Sequence, residues 1–181
     1  MKWLDRWLQT QRFKAIAPFL DKHASVLDIG SDDGAMFKFF GTISGIGLDD
    51  GIEKDINGQT WQILRKSFPD GFDTDQKFDA ITMLAVMEHL PDSTLQFLSD
   101  KCHYFLKPDG VILITVPDIR VDHILHFLKF LGLVNAETLH QHHGFDPRTV
   151  ADIFDKKQFM LLKKRKFELG LNNLYAFKKI L

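Results

Sequence analysis

The chain of 181 residues has a single cysteine, almost no net charge and no long apolar run. Because Cys102 stands alone, an intramolecular disulfide is excluded, which fits a reducing compartment. The 23 basic and 24 acidic residues nearly cancel, so the overall charge does not draw the chain to nucleic acid or to an anionic membrane. The longest apolar stretches, VILITV and ILHFLKFLGLV, are shorter than the roughly 18 residues that a membrane span needs. We therefore expect a cytoplasmic protein with no nucleic-acid partner and no stable membrane insertion.

The length and composition fit one domain with a sizeable core. Hydrophobic residues make up 45% of the chain and include 17 phenylalanines, so the core should be rich in aromatic rings. Apolar residues recur at helical spacing in WLDRWL and FKAIAPFL, which predicts an amphipathic helix within residues 1–21, broken once at most. We expect a single domain over residues 1–181, as a monomer or homodimer, with the segment 118–146 as a cap on the substrate side.

Short apolar stretches alternate with helical patterns along the rest of the chain. SVLDI, ISGIGL, FDAITML and VILITVP are typical of buried strands, a weaker strand lies in TWQILRKSF, and GAMFKFF and DSTLQFLSDKCHYFL predict helices between them. KPDG predicts a tight turn, PRTVADIFDKKQ a further helix, and FMLLKKRKFELGLNNLYAFKKI two strands around a turn. Strands that are apolar throughout and alternate with helices form parallel sheets covered on both faces. We therefore predict an α/β fold: a Rossmann-like, doubly wound, mostly parallel sheet that ends in an antiparallel β-hairpin, with helices on both faces.

The stretch VLDIGSDDG, residues 26–34, joins the first predicted strand to a glycine turn and the next helix. A turn of this kind often holds phosphate on its backbone N–H groups. Here, however, Asp32 and Asp33 would repel a pyrophosphate, and the G-x-G-x-x-G spacing of dinucleotide-binding turns is absent. The acidic turn therefore opposes NAD and favours a cationic ligand.

Five segments, in this order, resemble the class I S-adenosylmethionine-dependent methyltransferases. They are VLDIGSDDG, GLDD, FDAITMLAVMEHLPD, LKPDGVILITVP and HHGFDPRTVADIF, and they span most of the chain from Val26 onward. The resemblance implies S-adenosyl-L-methionine as the cofactor. It also implies in-line transfer of a methyl group to a small-molecule acceptor, such as a sugar, a lipid-linked compound or another metabolite. This cofactor carries a sulfonium and an ammonium and no phosphate, which agrees with the acidic turn.

The resemblance also indicates where the cofactor binds. The acidic residue after the second strand takes the ribose hydroxyls in the family, and we favour Asp49 over Asp50 because successive strand residues point opposite ways. Asp28 can favour the ammonium, Gly30 lets the backbone approach the ligand, and Gly34 lets the following helix pack tightly. We expect cofactor contacts from eight residues: Asp28, Gly30, Ser31, Asp32, Gly34, Asp49, Leu84 and Ala85.

The sequence departs from the family pattern at two places. Asp32 stands where many members have a second glycine, and aspartate tolerates a left-handed backbone better than most residues, so we expect the turn to survive. The segment between Asp50 and Trp61 is short, so the helix that is usual there must be reduced or lost. The residue that contacts adenine stays open among three candidates, which are Ser67, Phe68 and Asp70.

Histidines supply the candidates for proton transfer, because imidazole titrates near neutral pH. His140, His142 and His143 cluster in a late segment where the family often has a histidine, and His89 follows the fourth predicted main strand in MEHL. We predict His143, His140 and His89 as catalytic, against a solvated loop position for the first two and a helix cap for His89. No cysteine cluster or clear carboxylate ligand accompanies the histidines, so we expect no metal site.

Two other functions stay open at this point. One is a catalytically inactive, S-adenosylmethionine-binding regulatory module, for which Asp32 and the short middle segment leave room. The other is a nucleotide-binding enzyme on the same fold class, which the acidic turn opposes. Cofactor binding without turnover would favour the first, and tight NAD binding would favour the second.

Overall fold

The computed structural model describes residues 3–120 and 146–180. In chain order, its strands are β1 (Ser25–Ile29), β2 (Ser44–Leu48), β3 (Ile56–Asn57), β4 (Trp61–Leu64), β5 (Phe78–Leu84), β6 (Leu106–Pro117), β7 (Phe159–Phe167) and β8 (Asn172–Lys179). Its α-helices within the described ranges are α1 (Trp3–Ile16), α2 (Ala35–Phe40), α3 (Asp92–Phe105) and α4 (Val150–Ile153).

The described strands form one eight-stranded sheet in the order β3-β4-β2-β1-β5-β6-β8-β7. The five central strands β4, β2, β1, β5 and β6 run parallel, whereas β3 at one edge and the pair β8 and β7 at the other are antiparallel to their neighbours. The prediction of a mostly parallel sheet that ends in an antiparallel hairpin is confirmed.

Each face of the sheet carries its own apolar core. Because side chains alternate along a strand, Leu27 of β1 lies in one core and Val26 in the other, and both are fully buried. α3 packs on the Leu27 core through Leu98 and Cys102, and α1 packs on the Val26 core through Ile16. The prediction that helices cover both faces is confirmed, and Cys102 is a buried apolar group whose thiol pKa is raised by burial.

The N-terminal helix has the predicted break. α1 ends at Ile16, and a single 3-10 turn, Ala17–Phe19, continues it. Pro18 lacks the N–H that a continuing α-helix requires, and its ring obstructs the preceding turn. Before this break, α1 lies over the Val26 core with Phe13 and Ile16 buried.

The middle of the chain has lost a helix, as predicted. Between β2 and β4 the structure has the two-residue strand β3 and turns, with no helix in that stretch. β3 pairs antiparallel with β4, and two residues are too few to leave a periodic pattern in the sequence. β3 was therefore not predicted from the sequence.

Two element boundaries differ from the prediction. β6 starts at Leu106, which pairs with Phe78, and a register shift then includes KPDG as a bulge in which Asp109 has φ 62°. α4 follows a 3-10 turn, Pro147–Thr149, and ends at Ile153, because Phe154 has an extended backbone. The helix predicted for PRTVADIFDKKQ is thus shorter than expected.

Most of the predicted cap, residues 121–145, lies outside the described residues. The predicted catalytic residues His140 and His143 lie there too. Among the helices that the structure describes, none combines the length and the apolar character needed to cross a membrane. The extent of the domain and the role of the cap stay predictions.

Candidate functional site

The predicted cofactor residues gather where three neighbouring parallel strands end. β1 lies between β2 and β5, and all three have their carboxyl ends at the same edge of the sheet, where ligands bind in open α/β sheets. The glycine turn leaves β1 and is held onto β2 by two backbone hydrogen bonds. The N–H groups of Gly30 and Ser31 donate to the carbonyl of Leu48 at 2.8 and 3.2 Å.

The turn after β1 uses left-handed backbone at three positions. Gly30 has φ 73°, Asp32 has φ 47° and Gly34 has φ 76°. The expectation that aspartate at position 32 preserves the turn is therefore confirmed, because Asp32 adopts the conformation that a glycine would take there. A Cβ on Gly30 would stand 2.2 Å from Cγ2 of Val86, so a side chain at this position would collide with the residue after Ala85.

Gly34 serves packing, as its predicted role requires. A Cβ there would stand 2.9 Å from Cζ3 of Trp61, whose ring stacks on Phe37 of α2 with centroids 5.5 Å apart. Gly34 lies on the wall of neither cavity described below. It acts by letting α2 approach β4, and a direct cofactor contact from Gly34 stays a prediction.

Asp49 connects the two loops that form the acidic edge. Its Oδ2 accepts the N–H of Asp32 at 2.8 Å, and its Oδ1 accepts the N–H of Gly51 at 2.9 Å. Asp50 faces another partner, because its Oδ2 accepts the hydroxyl of Ser67 at 2.7 Å. Both carboxylates nevertheless lie on the wall of one cavity.

This large cavity, of about 540 Å³, opens over the ends of β1, β2 and β5. Four of the residues predicted for the site line it: Gly30, Asp49, Ala85 and His89. All three candidates for contact with adenine line it as well: Ser67, Phe68 and Asp70. Residues that the sequence analysis did not single out also contribute: Lys66, Val86, Leu90, Pro91 and Thr94. Several of these lie in AVMEHLPD, so their nearness to Ala85 in the chain was the signal available.

A second, small cavity of about 50 Å³ lies under α1 and shares Gly30 with the large one. Four predicted cofactor residues line it: Asp28, Ser31, Asp32 and Leu84. Three more lining residues come from α1: Gln9, Arg12 and Phe13. The contribution of α1 was missed, because nothing in the local sequence connects this helix with a turn some twenty residues further on.

Asp28 is the most deeply buried carboxylate of the small cavity, with 4% of its surface exposed. Burial raises the pKa of Asp28 to about 7, and the charge of Asp49 acts in the same direction. The hydroxyl of Thr82 donates to Oδ1 of Asp28 at 2.6 Å, which acts in the opposite sense. A carboxylate held in this way is stabilised in its charged form by a cation placed beside it.

The residues after β5 combine a strained backbone with exposure to the large cavity. Ala85 has φ 59° and its N–H donates to the carbonyl of Thr115 at 2.8 Å. A left-handed alanine costs on the order of 1 kcal/mol, and such strain concentrates at functional sites. His89 is exposed on the cavity wall in the 3-10 turn Met87–His89. Its catalytic role stays a prediction.

Metal binding receives no support from the described ranges 3–120 and 146–180. No group of three histidine, cysteine, aspartate or glutamate side chains there is placed to hold a metal ion. The histidine cluster that includes His140 and His143 lies outside those ranges.

Residues 4–164 of the chain match the protein family described as "Methyltransferase domain". The match covers most of the chain and includes both cavities. No curated protein shows a significant match to the chain.

Solved structures share the fold at low sequence identity. The N-methyltransferase NodS from Bradyrhizobium japonicum WM9 superposes with a TM-score of 0.64 at 14% identity, over 98% of this chain and 99% of that one. The 1,6-didemethyltoxoflavin-N1-methyltransferase of Burkholderia thailandensis, solved with 1,6-didemethyltoxoflavin and S-adenosylhomocysteine, gives 0.72 at 14% identity, over 99% and 81%. A complex of NodS with S-adenosylhomocysteine gives 0.63 at 14% identity, over 95% and 87%. At these identities the likeness shows the fold.

Proposed function

Because the chain belongs to the methyltransferase-domain family, we propose that it binds S-adenosylmethionine in the two cavities at the carboxyl edge and transfers the methyl group to a small molecule. The observation that carries the proposal is the pairing of the cavities. The large one has acidic and aromatic walls, and the small one contains a buried carboxylate. A nucleoside with a cationic amino-acid end requires these two environments side by side.

The residues present fit the cofactor. Asp49 uses each carboxylate oxygen once, for the N–H groups of Asp32 and Gly51, and a carboxylate has about four acceptor sites. It therefore keeps capacity for the two ribose hydroxyls. Ser31 is 6% exposed, and its Oγ has no hydrogen-bond partner among the residues described, as expected of a group that serves a ligand.

The charge of the site separates this cofactor from phosphate-bearing ones. Three aspartates and one lysine line the large cavity, and two aspartates and one arginine line the small one. The excess of carboxylates over basic side chains disfavours a pyrophosphate and favours a ligand with positive charge. The charge of the site therefore supports S-adenosylmethionine over NAD.

We assign the adenosine part to the large cavity and the amino-acid part to the small one. In this arrangement Asp49 takes the ribose, and Ser67, Phe68 or Asp70 contacts the adenine. Asp28 takes the ammonium, and the left-handed Gly30, which lines both cavities, lets the ligand pass between them. Leu84 and Ala85 then lie beside the reacting end of the cofactor.

The cofactor, when bound, supplies a methyl group on a positively charged sulfur. This sulfur is a good leaving group. The protein therefore has to align the acceptor with the methyl group, exclude water and, for some acceptors, remove a proton. His89 on the cavity wall is a candidate to hold that proton. We retain His140 and His143 as further candidates, with the segment 118–146 as the cover over the acceptor.

Binding of S-adenosylhomocysteine to matched variants tests the assignment. Asp49→Ala should raise the dissociation constant, measured by calorimetry, at least about 10-fold, since charge-assisted hydrogen bonds contribute about 1.5–3 kcal/mol. Asp50→Ala removes the adjacent carboxylate of the same cavity and should change it less than about 3-fold. Equal effects of the two variants, or none from Asp49→Ala, would contradict the assignment of Asp49.

Turnover requires a separate measurement, because a regulatory module would bind the cofactor and transfer nothing. Incubating the protein with S-adenosylmethionine and pools of small amines, phenols and sugars should release S-adenosylhomocysteine with at least one pool. Binding without release in any pool would favour the regulatory module.

A further inference from the structure

Arg12 lines the small cavity from α1, whereas Asp28 lines it from β1. α1 places Gln9, Arg12 and Phe13 on one face, as their spacing of three and four residues dictates, and all three line the cavity. Phe13 is 6% exposed and belongs to the Val26 core, which fixes this face of α1 against the sheet. The guanidinium of Arg12 is thereby held at the cavity rather than left to extend into solvent.

Two donors of this cavity lack an acceptor. Nε of Arg12 and Oγ of Ser31 are buried and have no hydrogen-bond partner among the residues that the structure describes. A guanidinium nitrogen can only donate, and a serine hydroxyl can donate as well. Nε of Arg12 therefore needs an acceptor and has none among the described residues. The hydroxyl of Ser31 can donate to the same acceptor, and a buried donor left unpaired costs free energy.

The cavity thus carries opposite charges on two different elements. Asp28 lies on the strand side, and Arg12 lies on the helix side. The complementary ligand is one with an ammonium and a carboxylate on neighbouring atoms, which is the α-amino-acid group.

We propose that Arg12, with Ser31, binds the carboxylate of the cofactor's amino-acid end while Asp28 takes its ammonium, so that α1 closes the cofactor site. This inference rests on the proposed function. It makes Arg12 a cofactor-binding residue and the small cavity a zwitterion clamp. The clamp selects the amino-acid end of the ligand, whereas the large cavity selects its nucleoside.

A glutamate lies close enough to Arg12 to interact with its charge. Burial raises the pKa of Glu168, while a hydrogen bond from Asn172 and the charge of Arg12 act against that rise. Oε2 of Glu168 accepts Nδ2–H of Asn172 at 2.5 Å. Nε of Arg12 still has no hydrogen-bond partner among the described residues, and a bound carboxylate would complete its hydrogen bonding.

The test removes the two halves of the proposed ion pair in turn, first the carboxylate of the ligand and then the guanidinium of Arg12. Calorimetry should compare S-adenosylhomocysteine, its decarboxylated analogue and 5′-methylthioadenosine, which lacks the whole amino-acid end. In the unmodified protein, loss of the carboxylate should weaken binding about 10- to 100-fold. This comparison uses the unmodified protein, so its result does not depend on whether a variant folds.

In Arg12→Met, S-adenosylhomocysteine should bind about 10- to 100-fold more weakly than to the unmodified protein. The decarboxylated analogue and 5′-methylthioadenosine should bind within about 2-fold of their original affinity, since neither contacts the guanidinium. Arg12→Lys should recover part of the loss. Arg6→Met, an exposed position of the same helix, should change none of the three constants and controls for a general effect on α1.

Two results would overturn the clamp while leaving the proposed function intact. One is unchanged binding of S-adenosylhomocysteine by Arg12→Met, and the other is an equal loss for all three ligands. If the unmodified protein bound neither S-adenosylhomocysteine nor 5′-methylthioadenosine, the proposed function itself would fall, and the clamp with it.

Discussion

The carboxyl group of Asp28 couples the stability of the free protein to its affinity for a cation. It is buried beside Thr82, and burial raises the pKa of Asp28 to about 7. The folded chain therefore keeps a proton on Asp28 over a pH range in which the unfolded chain, with the ordinary carboxyl pKa near 3.8, has already released it. As pH rises through this range, the cost of a buried charge grows and stability falls.

Asp28→Asn should stabilise the free protein in alkaline solution. The amide keeps an acceptor for the hydroxyl of Thr82 and cannot ionise. We expect the free energy of unfolding to rise by about 2–4 kcal/mol at pH 8, and not at all at pH 4, where the carboxyl is neutral in the folded state. Urea unfolding at the two pH values measures this, and an equal gain at both would exclude ionisation as the cause.

The same substitution should weaken cofactor binding, because the buried charge that destabilises the free protein is also the charge that we assign to the ammonium of the cofactor. For the unmodified protein, the dissociation constant of S-adenosylhomocysteine should increase as pH falls below about 7, where Asp28 takes up a proton. Asp28→Asn should bind this ligand weakly at every pH. A pH-independent affinity in the unmodified protein would show that Asp28 does not face the ammonium.

Two glycines at the ends of α2 both have a positive φ and differ in their surroundings. Gly34 precedes the helix with φ 76° and faces the ring of Trp61. Gly41 follows it with φ 69° and would meet no atom within 4 Å among the described residues. The two positions therefore separate the cost of a left-handed alanine from the cost of a steric overlap.

Gly34→Ala should destabilise the protein by about 2–4 kcal/mol and Gly41→Ala by about 1 kcal/mol. Both substitutions place an alanine in left-handed backbone, and only Gly34→Ala must also displace Trp61 from its stack on Phe37. Chemical denaturation of the two variants under the same conditions measures the difference. Equal losses would mean that the close approach of α2 to β4 contributes nothing.

One buried carboxylate, that of Asp118, connects the end of β6 to the C-terminal hairpin of β7 and β8. Asp118 is 6% exposed and accepts hydrogen bonds from Nζ of Lys166 on β7 at 2.5 Å and from Nε of Arg120 at 2.8 Å. These hydrogen bonds hold the pKa of Asp118 well below its usual range. The group therefore contributes stability above the ordinary carboxyl pKa, and this contribution is lost as pH falls through the lower, folded-state value.

Asp118→Asn should reduce the free energy of unfolding at pH 7 by about 1–2 kcal/mol, because its partners are half exposed and water partly replaces the lost contacts. The deficit should shrink as the unmodified protein is acidified below about pH 4. Asp109→Asn removes an exposed carboxylate that pairs with Lys178 at 3.0 Å, and the change in stability should be too small to measure. A deficit in Asp118→Asn that is independent of pH would contradict the ion-pair explanation.

An element could be predicted where the local sequence pattern determines it, and not where contacts with residues distant in the sequence do. β1, β2 and β5 consist mostly of apolar residues and glycine, so their burial in a parallel sheet follows from composition and order. β3 and the bulge at Asp109 leave no period in the sequence, because they arise from pairing with β4 and β5. Likewise, Phe154 ends α4 by turning into the aromatic core, where its ring lies 4.7 Å from that of Phe177.

At the scale of the whole molecule, the residues of the site likewise divide into those that could be predicted and those that could not. The residues on the loops after β1, β2 and β5 could be predicted, because parallel strands bring their carboxyl ends together. Gln9 and Arg12 could not, since they reach the cavity only through the packing of α1 on the Val26 core. Ala85 could be placed at the site, but its left-handed backbone could not be foreseen, because alanine carries no signal for it.

For the molecule as a whole, the acidic edge with its two cavities should select a cationic nucleoside over a phosphate-bearing one. The most direct test is calorimetric titration of the unmodified protein at pH 8 with S-adenosylmethionine and, separately, with NAD. We predict saturable binding of S-adenosylmethionine at one site per chain, and binding of NAD that is weaker by at least about 100-fold. Binding of NAD as tight as that of S-adenosylmethionine, or no binding of S-adenosylmethionine, would contradict the account.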